Sequence, residues 1–117
     1  MKRTYWLADL SIPGNPPGKY QPKEESEANL VSSLLENGNH APAIDLDLPC
    51  RLLESSTPGN HHLYIEKELS WDKYKILLEA FYRVGLIQNG FYFNALANEQ
   101  TLLRKPGVKK NPLDFIS

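Results

Sequence analysis

A chain of 117 residues is long enough for one modest core and too short for two, so no second catalytic domain is expected. With 13 basic against 14 acidic residues the formal charge is -1, which excludes a global field that draws in nucleic acid, and the 41% hydrophobic share is ordinary for a globular protein. The single cysteine, Cys50, cannot form an internal disulfide, and neither a secretory leader nor an apolar run long enough to span a bilayer is seen, so the expectation is a reduced, cytoplasmic protein.

Residues 4–10, with Tyr5, Trp6, Leu7 and Leu10, predict a strand that stops at the turn-forming Pro13, Gly14, Pro16, Pro17 and Gly18. Residues 23–37 predict an amphipathic helix. Leu30, Val31, Leu34 and Leu35 follow helical spacing, Glu24, Glu25 and Glu27 suit the positive end of the dipole, and Asn37-Gly38 offers a left-handed terminus. Residues 43–48 alternate apolar and acidic side chains and predict a second strand. Its continuation into residues 51–54 stays open, because Pro49 has no amide hydrogen and marks a break, a bulge or an edge. Thr57-Pro58-Gly59-Asn60 then predicts a turn, and residues 61–67 a third strand.

The strongest helical signal follows. Ser70 is a good N-cap, Asp72 lies in the first turn, Trp71, Tyr74, Leu77, Leu78, Phe81 and Val84 form one apolar stripe, and Gly85 ends it. After a loop around Gly90, residues 101–105 read as a fourth strand, stopped by Pro106-Gly107. The order β-α-β-β-α-β is the split, ferredoxin-like or RNA-recognition-motif-like α+β arrangement, with two helices on one face of an antiparallel sheet and the other face open. It fills a single domain over residues 1–107, followed by a tail over 108–117 that is basic and then apolar.

On that sheet, Ile44, Leu46, Leu48, Leu63 and Ile65 turn toward the helices, while Asp45, Asp47, His62, Tyr64 and Glu66 turn outward. Carboxylates two residues apart on a strand can share Mg²⁺ or Mn²⁺, with phosphate oxygens completing the shell. Histidine can donate to phosphate, tyrosine offers a stacking face to a base, and Arg104 or Lys105 from the last strand can neutralise charge. The candidate ligand-binding set is therefore Asp45, Asp47, one of the neighbours His61 and His62, Tyr64, Arg104 and Lys105, with Asp45 and Asp47 as the metal ligands. Each piece also has a plain reading: alternating aspartates commonly form a solvated face, and the aromatic stripe is core. A phosphate-binding glycine loop, a serine triad and the Cys/His spacing of structural zinc are all missing.

The Asp45-x-Asp47 segment and Ser56-Thr57-Pro58-Gly59-Asn60-His61-His62-Leu63-Tyr64 resemble two motifs of the archaeo-eukaryotic primase and primase-polymerase superfamily. That resemblance implies a metal-binding acidic pair, Asp45 and Asp47, and a phosphate contact from His61 or His62. The separation of the two motifs is a tight hairpin here and a third acidic strand residue is missing, which argues against an intact polymerase. More broadly, Arg3 to Asp9, Ser55 to Ile65 and Leu103 to Lys109 are similar to the corresponding stretches of a family of small tailed-bacteriophage proteins. This family implies a setting more than an activity: accessory proteins that act in the cytoplasm of the infected bacterial host, inhibitors of host defence among them.

Three functions follow as expectations. The first is a binding protein that captures a nucleotide or cyclic-nucleotide-type ligand, such as an immune signal of the host. The second is a minimal metal-dependent enzyme on nucleotides or nucleic acid, less favoured than binding, that uses the same acidic pair. The third is a protein-binding inhibitor of a host defence complex, with Tyr82, Phe91, Tyr92, Phe93 and Phe115 as its interface. Partners are then a nucleotide-type ligand or a host protein, with nucleic acid left open and no membrane. An edge strand and the apolar tail leave room for a homodimer or a higher oligomer.

Overall fold

The computed structural model describes residues 1–9, 11 and 20–108, and the chain divides into two units, Met1–Leu46 and Asp47–Ser117. The proline- and glycine-rich segment over 13–18 and, apart from Val108, the tail over 108–117 lie outside the described residues.

In the first unit, strand β1 (Arg3–Ala8) lies between β2 (Tyr20–Lys23) and β3 (Leu30–Leu35), antiparallel to both. The register sets Tyr5 against Lys23 and Val31, and Trp6 against Pro22 and Leu30. Between Arg3 and Tyr5 the pairing with β3 slips, and side chains replace the missing ladder bonds. Thr4 Oγ1 donates to the Leu34 carbonyl at 2.9 Å, and the Leu34 N–H donates to Ser32 Oγ at 2.9 Å. The Arg3 guanidinium donates to the carbonyls of Ala41 at 2.8 Å, Ser32 at 3.4 Å and Pro42 at 3.4 Å. At the other end of β1, Asn29 stands in for a strand residue. Its Oδ1 accepts the Ala8 N–H at 3.0 Å and its Nδ2 donates to the Ala8 carbonyl at 2.8 Å.

The helix expected over 23–37 does not form. A short 3-10 turn (Glu25–Glu27) is followed by β3, because β1 offers ladder bonds to a segment in which Val31, Ser32 and Ser33 have little helix preference. The Asn37-Gly38 dipeptide expected to end that helix makes a hairpin turn instead. Gly38 has φ +90°, its N–H donates to the Leu35 carbonyl at 3.0 Å, the Leu35 N–H reaches the Asn39 carbonyl at 2.8 Å, and Leu34 bridges His40. The same dipeptide suits both endings, and the available strand decides between them. The strand expected over 43–48 is also absent: residues 41–46 have no regular structure. Pro42 and Pro49 remove amide donors on either side, so the alternating segment is poorly equipped to join a ladder.

The second unit begins with the hairpin of β4 (Cys50–Glu54) and β5 (His61–Ile65), closed by the expected turn at Gly59, with the Ser55 N–H donating to the Asn60 carbonyl at 3.0 Å. Helix α1 (Trp71–Arg83) starts as expected, with Ser70 Oγ accepting the Lys73 N–H at 3.2 Å. It ends in a Schellman motif. Gly85 at φ +80° donates to the Tyr82 carbonyl at 3.1 Å, and Leu86 donates to the Phe81 carbonyl at 2.9 Å. The expected loop around Gly90 is in fact a second helix, α2 (Asn89–Asn98), in which the glycine falls in the first turn, where it interrupts little. The strand expected over 101–105 is irregular backbone, although Thr101 is held by a 2.9 Å hydrogen bond between its Oγ1 and the Tyr74 hydroxyl.

The α+β class therefore stands, as two antiparallel sheets and two helices, while these elements do not confirm the ferredoxin-like arrangement. The best-buried side chains sit one on each helix, Leu78 at 3% and Ala95 at 2% exposure. Helix α2 ends at Glu99, a non-glycine residue in the left-handed region at φ 54°. Replacing it by glycine relieves a steric cost of about 1 kcal/mol, so Glu99→Gly is expected to raise the urea midpoint, and Gly85→Ala to lower it by a similar amount. Equal midpoints for both variants would contradict this reading of the two caps.

Candidate functional site

Residues directly opposite one another in an antiparallel ribbon share a face, and the β4–β5 register defines two of them. One face carries the pairs Arg51 with Tyr64 and Leu53 with His62, and the other Cys50 with Ile65, Leu52 with Leu63 and Glu54 with His61. On the first face Leu53, His62 and Tyr64 are half-buried. The Arg51 guanidinium lies over the Tyr64 ring, 5.0 Å from its centroid, and Arg51 Nε is 3.7 Å from Glu66 Oε1. The ring face expected to stack on a base is thus already covered by a cation on one side.

At positions 62 and 63 the burial along β5 is the reverse of the expected one, while Tyr64 and Ile65 are both half-buried. Leu52 and Leu63 are exposed, at 64% and 41%, whereas His62 Nε2 is closed to solvent and has no hydrogen-bond partner among the described residues. Both faces of this ribbon carry apolar side chains, so alternation alone cannot say which face the rest of the unit covers. His61 is exposed on the opposite face from His62, paired across the strands with Glu54.

The other expected site residues are not brought together on a strand face. Asp45 and Asp47 are exposed on irregular backbone, the first in one unit and the second in the other. Arg104 is half-buried and Lys105 exposed, both on irregular backbone after α2. Among the described residues, no group of three or more His, Cys, Asp and Glu side chains is placed to hold a metal ion. Asp9, exposed in the first unit, is the carboxylate with the clearest electrostatic signature. Hydrogen bonds from the Ser11 hydroxyl at 2.6 Å and the Ser11 N–H at 3.0 Å hold its pKa below the ordinary carboxylate value, a local turn effect remote in sequence from the expected site.

The helical hairpin is the better-built surface. Tyr82 of α1 stacks on Tyr92 of α2 at 4.3 Å with 9° between the ring planes, and Phe93 sets its ring edgewise to both, at 5.6 Å and 5.3 Å. Beside this cluster the turn exposes Val84 at 70% and Leu86 at 58%, and Phe93 itself is 54% exposed. An open groove of about 360 Å³ runs between the helices, lined by Asp72, Lys75, Ile76, Glu79, Tyr92 and Leu96. Its charges are engaged with neighbours, Lys75 with Asp72 at 3.5 Å and Glu79 with Arg83 at 3.0 Å, and its lining holds no nucleophile with an adjoining base.

Of the aromatic residues Tyr82, Phe91, Tyr92 and Phe93 expected to group from the sequence, Tyr82, Tyr92 and Phe93 have their rings in contact. The part played by Val84 and Leu86 was not expected, although Gly85 between them is the signal: a Schellman terminus turns the chain sharply and leaves its flanking residues outside the helix. Phe115, expected in the same interface, lies outside the described residues. No helix among the described residues is long and apolar enough to cross a membrane. Comparison with family models, with curated proteins and with solved structures returns no match for this chain.

Proposed function

We propose that this chain is a binding protein that acts on another protein through the turn end of its helical hairpin, in the setting its phage resemblance implies, a protein of the infected bacterial host. The observation that carries the reading is the trio Val84, Leu86 and Phe93, large apolar side chains left exposed beside a rigid aromatic stack. Exposed apolar patches of this kind, on a pre-ordered element, suit a protein partner, because aromatic anchors contribute most when little ordering is needed on binding.

Phe93→Ala is expected to weaken capture of the host partner by about tenfold or more. The helical circular dichroism should stay unchanged. Tyr92→Ala should also weaken capture, but with a lower thermal midpoint, since its ring is half of the stack. A triple variant, Asp45→Ala, Asp47→Ala and His61→Ala, should capture the partner as the parent does. Capture that survives Phe93→Ala and fails in the triple variant overturns the reading.

Capture of a nucleotide-type ligand with Mg²⁺ or Mn²⁺ remains the competing proposal, through the exposed Asp45, Asp47 and His61. It is tested by thermal melts against nucleotides, cyclic oligonucleotides and short single strands, with and without Mn²⁺. On the protein-binding reading no member of that panel moves the midpoint, and a metal-dependent rise with one ligand class transfers the assignment to the carboxylates.

A further inference from the structure

The two sheets treat their edges differently. In the first, the edge strand β2 is short and carries Pro22, and the outer side of β3 is paired by the returning chain, with the Ala41 N–H donating to the Ser33 carbonyl at 2.9 Å. These are the devices that stop a sheet from growing. Among the described residues the β4–β5 ribbon pairs with no further strand, and β5 is the plainer of its edges: His61-His62-Leu63-Tyr64-Ile65 has no proline, no bulge and no acidic or lysine side chain, whereas β4 carries Arg51 and Glu54 and follows Pro49.

The backbone groups that point outward can be derived. The Ser55 N–H bonds the Asn60 carbonyl at 3.0 Å, and the Glu66 N–H bonds the Pro49 carbonyl at 3.0 Å. Hydrogen-bonded pairs alternate along an antiparallel ladder, so Leu53 with His62 and Arg51 with Tyr64 are the bonded pairs between those ends. His61, Leu63 and Ile65 therefore turn their N–H and C=O groups away from β4, and the exposed Leu63 side chain belongs to the same residue set.

We infer that β5 is a self-association edge whose occupant is β5 of a second copy of this chain, paired antiparallel about a two-fold axis at Leu63. That register places Leu63 against Leu63 and His61 against Ile65, and it satisfies every outward N–H and C=O group of the three residues in both copies. It also opposes Asn60 to Glu66, so no like charges meet, and it extends Leu52 and Leu63 into one apolar stripe across four strands. The equivalent pairing of β4 about Leu52 sets Glu54 against Cys50 and gains no such match. Two short strands bury less than a standard interface of about 1,200–2,000 Å², so the association is weak and concentration-dependent. The inference is independent of the helical-hairpin reading, which uses other residues.

The test needs no partner protein: light scattering of the purified full chain from micromolar to millimolar concentration, together with cysteine cross-linking. The mass should rise from monomer toward dimer, and Leu63→Lys, which brings two ammonium groups together on an exposed face, should hold it at monomer with an unchanged circular dichroism spectrum. In a Cys50→Ser background, Leu63→Cys should oxidise to a disulfide dimer, because opposed residues in a hydrogen-bonded pair have Cα atoms about 5.5 Å apart. Leu52→Cys, one strand further from the axis on each side, should not. A chain that stays monomeric throughout, a Leu63→Lys variant that still dimerises, or cross-linking through Leu52→Cys instead of Leu63→Cys overturns the inference. A monomer whose β5 accepts a strand from a different protein does so as well.

Discussion

Leu78→Ala is expected to cost about 2–5 kcal/mol, the largest loss of any single truncation in the helical unit. Leu78 is the best-buried large side chain, at 3% exposure, and it stands in the middle of the stripe formed by Trp71, Tyr74, Phe81 and Tyr82. Those neighbours are half-buried. The unit therefore has one deep anchor on α1, facing the requirement that folded domains are stable by only about 5–15 kcal/mol in total. Urea unfolding followed by helical circular dichroism measures the effect. Ile76→Ala, two residues away on the solvent side, is the control and should change stability by less than about 0.5 kcal/mol. Equal losses in the two variants would mean that the buried stripe is not where the unit gains its stability.

Asn29→Ala is expected to cost about 1–2 kcal/mol in the first unit, which is large for a side chain that faces solvent. The amide makes both of its hydrogen bonds to one backbone residue, Ala8, and so closes the β3 side of β1 beyond the Trp6–Leu30 pair, while Tyr20 of β2 pairs Ala8 on the other side. Asn29→Asp keeps the acceptor for the Ala8 N–H but loses the donor to its carbonyl, and should recover only part of the loss. Hydrogen exchange at the Ala8 amide should quicken in both variants. With one tryptophan in each unit, Trp6 and Trp71, replacing the other by phenylalanine lets fluorescence follow either unit alone. Unaltered exchange at Ala8 would show that the Asn29 clamp does not hold the strand end.

The competing functional readings divide along the same physical lines. The nucleotide-type reading depends on strand alternation between Asp45 and Asp47, and the chain there is irregular, so these carboxylates have no rigid element to aim them. The helical hairpin has one: a Schellman turn, a stacked aromatic pair and an edge-on phenylalanine, each set by contacts within two adjoining helices. This difference in support is why Phe93 and not Asp47 is the residue on which a binding experiment should begin.

What the sequence determined by itself is what local chemistry determines. Ser70 and Gly85 bound α1 because a hydroxyl cap and a left-handed glycine act within one turn, and Tyr5, Trp6 and Leu7 make a strand because aromatic and branched residues suit a pleated surface. The Thr57-Pro58-Gly59-Asn60 turn and the strand after it are local for the same reason. Tertiary pairing decided the rest. Leu30 to Leu35 has the apolar spacing of a helix but residues with little helix preference, a conflict that β1 resolves by lying beside it, and Asn37-Gly38 ends either element. The apolar-acidic alternation of residues 43–48 specifies a face only if a partner strand exists, and here the ladder begins one proline later, at Cys50. Which face of β5 is covered was likewise settled by packing, since period-two alternation gives two faces and no preference between them when both carry leucine or tyrosine. Local signals act over a few residues and survive in any context, whereas pairing and burial depend on segments distant in sequence, and it is these that place His62 inward and leave Leu63 at an open edge.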